Sequence, residues 1–323
     1  MRVLLLCAVV GCTVDTASSV RSAIVDGTPA PEEEAVVLVK VVGGIGQCSG
    51  TFISPSVVLT AKHCVQAERM PIPHANSVLS IGVGSAFGDT VDYRVRRVDT
   101  TPGAYSSGLT GLVGEDVGVI TILPDRDGNF PDVDPIGVYR ESPVDLVGQD
   151  VTFIGYGRQP SGVSGRKMKT TGAITSIQGN VIISRQNICQ GDSGGPMVLE
   201  GSPREIVGVA SFGRSTAPGA TCPSAEDGHN RVDVLLGMID EALLEAGDCP
   251  VMEEEICDSI DNNCDGVIDE GCKGLGEACE ADNECAFAQL PERFGRGLRG
   301  LLENPVTCGD TPSGRVCTRR CDP

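Results

Sequence analysis

Eight residues, Cys189-Gln190-Gly191-Asp192-Ser193-Gly194-Gly195-Pro196, restrict this chain more than any other stretch. Glycines on both sides of Ser193 let the backbone turn tightly. The hydroxyl can then project while the Gly191 and Ser193 N–H groups converge on one point, where the oxyanion of a tetrahedral intermediate would sit. A serine in such a loop needs a histidine to take its proton and a buried carboxylate to hold that histidine in the right tautomer. The chain has three histidines, at 63, 74 and 229. His63 ends the β-type run Leu59-Thr60-Ala61-Lys62-His63-Cys64, beside a cysteine able to lock its loop. Asp116 precedes the apolar run 117–122, which would bury its carboxylate. The order His, Asp, Ser is one of several in which such a triad occurs.

Strand-like runs at Ala35–Val42, Ser56–Thr60, Val151–Tyr156 and Glu205–Ser211 are separated by Gly, Pro, Asp and Ser clusters, an all-β signature. One segment changes period. From Val234, apolar residues fall at Leu235, Met238, Ile239, Ala242, Leu243 and Ala246, which predicts a helix with Asp233 as N-cap and Gly247 as its stop.

Residues 24–247 resemble a trypsin-like serine protease of the chymotrypsin fold. The likeness rests on Ile24-Val25-Asp26-Gly27 (the mature N-terminus), Thr60-Ala61-Lys62-His63-Cys64, Asp116-Val117-Gly118-Val119 and Gly191-Asp192-Ser193-Gly194-Gly195-Pro196. Ser211-Phe212-Gly213 resembles the family's substrate-binding strand, with Phe where Trp is usual. The resemblance implies two six-stranded antiparallel β-barrels with the site between them, a C-terminal helix, and here a small disulfide-rich extension. It implies that Ser193 attacks, His63 shuttles the proton, Asp116 orients His63, and the Gly191 and Ser193 amides form the oxyanion hole. It pairs Cys48 with Cys64 and Cys189 with Cys222. It also implies activation by cleavage before Ile24, whose freed amino group would pair with Asp192. A tryptic cut after Arg21 would leave Ser22-Ala23 in place, so a different activating protease or a trimming step after Ala23 is expected. Where trypsins hold their specificity acid stands Asn187, whereas Asp227 aligns with another pocket-lining position. Either Asp227 attracts Arg or Lys, or it is a solvated acid and the pocket takes polar or apolar residues.

Fifteen cysteines in an acidic chain point to export, because disulfides persist outside the reducing cytosol. A net charge of −19 argues against nucleic acid or an anionic membrane as partner; protein or peptide substrates are expected. Met1-Arg2 and the apolar run 3–10 read as a signal peptide, residues 1–12, followed by a propeptide, 13–23. Val9-Val10-Gly11-Cys12 resembles a bacterial lipobox, which would anchor Cys12 in the outer membrane through lipid; cleavage near Ala17 and ordinary secretion is the alternative.

Beyond Gly247 the composition shifts. Residues 248–323 hold 17 Asp and Glu against 7 Lys and Arg, and nine of the cysteines, an odd number that cannot all pair internally. Disulfides or a metal must staple a region with so little apolar content. In the acidic motif, 248–272, Asp261, Asn263 and Asp265 alternate ahead of Gly266, as in the first part of an EF-hand-like Ca²⁺ loop. Cys272 takes the place of the distant bidentate Glu, for which Asp269 or Glu270 would substitute; an acidic turn without an ion is the alternative. Together with Cys257, Cys264 and Cys272, the stretch resembles an Asp/Asn/Cys-rich repeat of secreted myxobacterial proteins, and residues 273–323 resemble their Cys-rich tails. A surface-binding protein on an inert protease scaffold is the rival to a serine endopeptidase, and the complete Ser193 loop favours the enzyme.

Overall fold

The computed structural model describes residues 24, 27–41, 47–105, 107–108, 111–112, 115–158, 164–185, 187–214, 226–248, 278, 280, 306–311 and 314–319. The leader with Cys12, the partner cysteine Cys222 and the Asp261–Glu270 motif lie outside these residues.

After a two-residue strand β1 (Thr28–Pro29), the chain builds a closed six-stranded barrel. Its strands are β2 (Val36–Val41), β3 (Gln47–Phe52), β4 (Val57–Thr60), β5 (Leu79–Ala86), β6 (Asp89–Thr100) and β9 (Gly118–Ile122), closing in the order β2-β3-β4-β9-β6-β5. A one-turn helix α1 (Lys62–Val65) follows β4, and a small hairpin of β7 (Ser107–Gly108) and β8 (Gly111–Leu112) precedes β9. Strands β4 and β9 are apolar without alternation because both of their faces are covered. One lies in the barrel and the other beneath the C-terminal helix α2 (Leu236–Ala246), whose Ile239, Ala242 and Leu243 join the same core.

The second half is a nine-stranded sheet. Its main path runs β1, β12 (Met168–Ala173), β11 (Asp150–Gly155), β15 (Pro196–Leu199), β16 (Glu205–Arg214), β17 (Glu226–Arg231), β14 (Val181–Ser184) and β13 (Ser176–Gln178), with β10 (Gly137–Val138) parallel to β16. It exceeds the six strands expected because three short segments, β1, β10 and the three-residue β13, pair onto it. The expected strands all form, within one to three residues of the sequence-derived limits. Further along, β18 (Val306–Thr311) and β19 (Gly314–Arg319) form a hairpin that sets Cys308 opposite Cys317, and Cys317 is disulfide-bonded. No helix among the described residues is long and apolar enough to cross a membrane.

The helix departs from expectation at its start. Asp233 does not cap it, because Arg231 holds both carboxylate oxygens, Nε to Oδ1 at 2.9 Å and Nη2 to Oδ2 at 2.5 Å. A 3-10 turn at Asp233–Leu235 intervenes, and α2 begins at Leu236. Its end is as expected. Gly247 adopts φ 83° and donates to the Leu244 carbonyl, while the Asp248 N–H reaches Leu243. Asp248 is then tied to the barrel, its Oδ2 accepting from the Ser54 and Ser56 hydroxyls at 2.5 and 2.6 Å.

Candidate active site

Asp116 enters β9 from a loop and is 1 % exposed. Its Oδ1 accepts the His63 backbone N–H at 2.9 Å; its Oδ2 accepts from His63 Nδ1 at 2.7 Å and from Ser211 Oγ at 2.6 Å. An ionised carboxylate only accepts, so the contact places a proton on Nδ1, and the neutral ring in this tautomer has its lone pair on Nε2. Ser211 reaches this acid because β16 bulges there. Ala210 pairs with His229 and Phe212 with Gly228, leaving Ser211 as the extra residue. The Asn230 side chain adds a further anchor, accepting the Asp116 N–H at 3.2 Å.

The Ser193 loop is held from both halves. Ser49 of β3, fully buried, donates its N–H to the Ser193 carbonyl at 2.8 Å and its hydroxyl to the Gly191 carbonyl at 3.1 Å. From the other side, the Gly194 N–H meets the Ala210 carbonyl at 2.7 Å. Gly194 has φ 82°, and a Cβ there would fall 2.2 Å from the Ser49 carbonyl and the Thr60 hydroxyl, so no side chain fits. Gly191 has φ 101°. Among the described residues neither the Gly191 nor the Ser193 N–H donates to protein.

Asp192 is buried between these elements, its Oδ1 accepting the Gly157 N–H at 2.7 Å and its Oδ2 the Cys189 N–H at 2.9 Å. Desolvation pushes its carboxyl up to about 7 against the pull of those two donors, and the nearby Asp227 charge adds to the rise. No cationic group pairs with it among the described residues. Ile24 is fully buried, its side chain in an apolar cluster with Phe153, Met168 and Ile188.

Cys48 and Cys64 form the expected disulfide beside His63. Although their sulfurs lie near the imidazole, a disulfide offers no thiolate to a metal. Cys189 is also disulfide-bonded. His63, Gly191 and Ser193 line one cleft of about 460 Å³, with Val39, Val41, Ala67, His74 and Tyr105 among its other walls.

Of the residues expected at the specificity pocket, Gly213 is exposed on β16 and Phe212 packs over Gly228, where a Cβ would come 2.2 Å from the ring. Asn187 presses its side-chain oxygen against Gly172 of β12. Asp227, fully buried, accepts the Asn187 and Ile188 N–H groups on Oδ2 at 2.5 and 3.1 Å.

Four contributors escaped the sequence reading: Ser49, Asn230, Tyr105 and Lys62. Tyr105 stands over His63, ring centres 6.1 Å apart. Lys62, 1 % exposed, donates to the carbonyls of Thr101 and Pro102 at 2.7 and 3.0 Å. Burial lowers its basicity, opposed by the charges of Asp116 and Glu115. Only its adjacency to His63 could have flagged it.

Residues 24–228 match the Trypsin family. Among curated proteins, Lectizyme of Glossina austeni is 27 % identical over 231 residues, covering 62 % of this chain and 80 % of its own length. Trypsin zeta of Drosophila erecta is 28 % identical over 199 residues, 53 % and 66 % of the two chains. Trypsin of Saccharopolyspora erythraea is 26 % identical over 226 residues, 60 % and 88 %. A match spanning most of the sequence, on a scaffold with one closed six-stranded barrel and a second sheet, places the chain in a single group: it belongs to the trypsin family of serine proteases.

Proposed function

We propose that this chain is an exported serine endopeptidase made as an inactive precursor. Ser193 Oγ attacks the scissile carbonyl and gives its proton to His63 Nε2. The imidazolium so formed is stabilised by Asp116, and His63 then protonates the leaving amine. The Gly191 and Ser193 N–H groups receive the oxyanion. The observation that carries this reading is the His63 Nδ1–Asp116 Oδ2 contact of 2.7 Å, which turns Nε2 away from a buried acid in a cleft shared with Ser193.

Cleavage after Ala23 frees the Ile24 amino group, which pairs with Asp192. Support comes from a carboxyl buried without a cation among the described residues, a state that a new ammonium partner would relieve. Asp227 gives the specificity pocket its negative charge and selects Arg or Lys before the scissile bond; a peptide library showing no such preference would refute this. For the reaction itself, protein processed to begin at Ile24 is expected to hydrolyse peptides, and Ser193→Ala to lose about 10⁶ in kcat. Equal turnover by the two proteins would remove the assignment.

A further inference from the structure

Three successive peptide planes run from Gln190 to Ser193, and the outer two carry the N–H groups assigned to the oxyanion. A trans peptide points its carbonyl and its N–H in opposite directions, so whatever holds the one aims the other. The Gln190 carbonyl accepts from the Arg158 N–H at 2.7 Å, which turns the Gly191 N–H the other way. The Asp192 carbonyl accepts from the Gly195 N–H at 2.8 Å, which does the same for the Ser193 N–H. The plane between them sets the angle between the two donors. Its N–H reaches the Cys189 carbonyl at 3.0 Å, and its carbonyl, that of Gly191, receives the Ser49 hydroxyl at 3.1 Å.

Ser49 belongs to β3, in the other half of the molecule. It is fully buried, and its hydroxyl is committed twice, donating to Gly191 and accepting the Tyr156 N–H at 3.0 Å. Its backbone is pinned as well. The N–H holds the Ser193 carbonyl at 2.8 Å, and the carbonyl receives the Thr60 hydroxyl at 2.8 Å. A Cβ on Gly155 would fall 3.1 Å from the Ser49 hydroxyl, and one on Gly195 would fall 3.3 Å from the Ser49 Cβ, so the backbone of the second half packs directly on this side chain. Gly191, at φ 101°, has no side chain of its own to resist rotation. The Ser49 hydroxyl supplies that restraint from across the interface.

We propose that Ser49 is a positioning residue of the oxyanion hole: its hydroxyl fixes the Gly191–Asp192 peptide and so keeps the Gly191 and Ser193 N–H groups aimed at one point. This rests on the protease reading and deepens it, because the closed barrel then contributes to the hole as well as supplying the base and its acid. Without the hydroxyl, the Gly191 carbonyl and the Tyr156 N–H both lose this partner while remaining inside the protein, and rotation of the peptide relieves them.

The test compares wild type and Ser49→Ala, both processed to begin at Ile24. On a peptide amide kcat should fall about 10²-fold, the scale of losing one oxyanion donor, with KM held within about twofold. A peptide aldehyde reads the hole directly. Ser193 Oγ adds to its carbonyl carbon, the hydroxyl proton passes to His63, and the carbonyl electron pair moves to the oxygen, which enters the hole. Affinity for the aldehyde should fall with kcat, by about 10²-fold, whereas the matching peptide alcohol, which has no carbonyl, should bind both proteins equally. An unchanged kcat, or a loss shared equally by aldehyde and alcohol, overturns the proposal. Wild-type protein that neither cleaves peptides nor prefers the aldehyde removes the protease reading and the proposal with it. Should Ser49→Ala fail to fold, amide exchange on the wild type decides. A Tyr156 N–H already protected in the free enzyme and unchanged by the aldehyde upholds a hole set in advance by Ser49; protection gained only with the aldehyde overturns it.

Discussion

Along the closed barrel, Val36, Val37, Leu38, Val57, Val58, Ile81, Val119 and Ile120 are fully inaccessible hydrocarbon, whereas the second sheet hides Asp192, Asp227 and His229 to within 1 %. The barrel strands bury their apolar residues against one another and against α2, a term without pH dependence near neutrality. The second sheet buries an apolar cluster of its own around Phe153, Ile182 and Met197, and adds to it ionisable groups, each needing local donors or acceptors. His229 illustrates the cost. Burial drives its pKa down to about 3, Nε2 meets Ser184 Oγ at 3.1 Å, and Nδ1 has no hydrogen-bond partner among the described residues. One half therefore holds His63 and Asp116 beside an apolar core, and the other surrounds Ser193 with buried ionisable groups, whose charge state the proposed cleavage would change.

The sharpest way to break this comparison is to ask whether the halves act as one unit. His63→Ala, Ser193→Ala and the double variant should each lose about 10⁶ in kcat, without additivity, since neither residue works alone. Additive losses would mean that the halves contribute independently.

Next in size is a pH effect confined to the second sheet. In the uncleaved chain Asp192 binds its proton more tightly folded than unfolded, so its stabilisation is complete below the unfolded value of 3.8 and lost as pH rises to about 7. His229 runs the other way: its contribution is complete above the unfolded value of 6.5 and lost as pH falls toward about 3. By linkage each is worth on the order of 4 kcal/mol over its window. The two slopes oppose each other across their overlap and nearly cancel. Denaturant midpoints followed from pH 4 to 6.5 should therefore rise with pH in Asp192→Asn and fall with pH in His229→Gln. Parallel profiles for the two variants would show that these groups are not hidden as described. Once Ile24 is freed, its ammonium should hold Asp192 ionised, and the loss toward pH 7 should disappear from the mature form.

How far this division could be read from the chain depends on how local each feature is. The serine loop is legible because its glycines and its nucleophile are neighbours in sequence. The stop at Gly247 is legible for the same reason, since a left-handed residue after an apolar periodicity has few other uses. Asp233 looks like a cap until Arg231 is seen to hold both its oxygens, a pairing no more predictable than capping at that spacing. The family resemblance puts Asn187 at the pocket; that its side chain lies against Gly172 of another strand is a non-local fact. The burial of Lys62 and His229 is equally non-local, because composition alone assigns such residues to the surface.

The smallest predicted effect sharpens the barrel's share. Lys62 pins the turn at Thr101–Pro102 that leads to Tyr105. Lys62→Met should lower kcat/KM by about tenfold to a hundredfold through displacement of the His63 side of the cleft. Lys62→Gln, which keeps a donor, should recover most of the loss; no difference between Met and Gln would make the contact mere packing.

The most direct test of the central claim is labelling with a fluorophosphonate, which reacts only with an activated serine. Protein beginning at Ile24 should label at Ser193, while the uncleaved chain and Ser193→Ala should not. Labelling of the precursor at the mature rate would contradict activation through Ile24 and Asp192, and no labelling of folded, correctly processed protein would contradict the serine protease account itself.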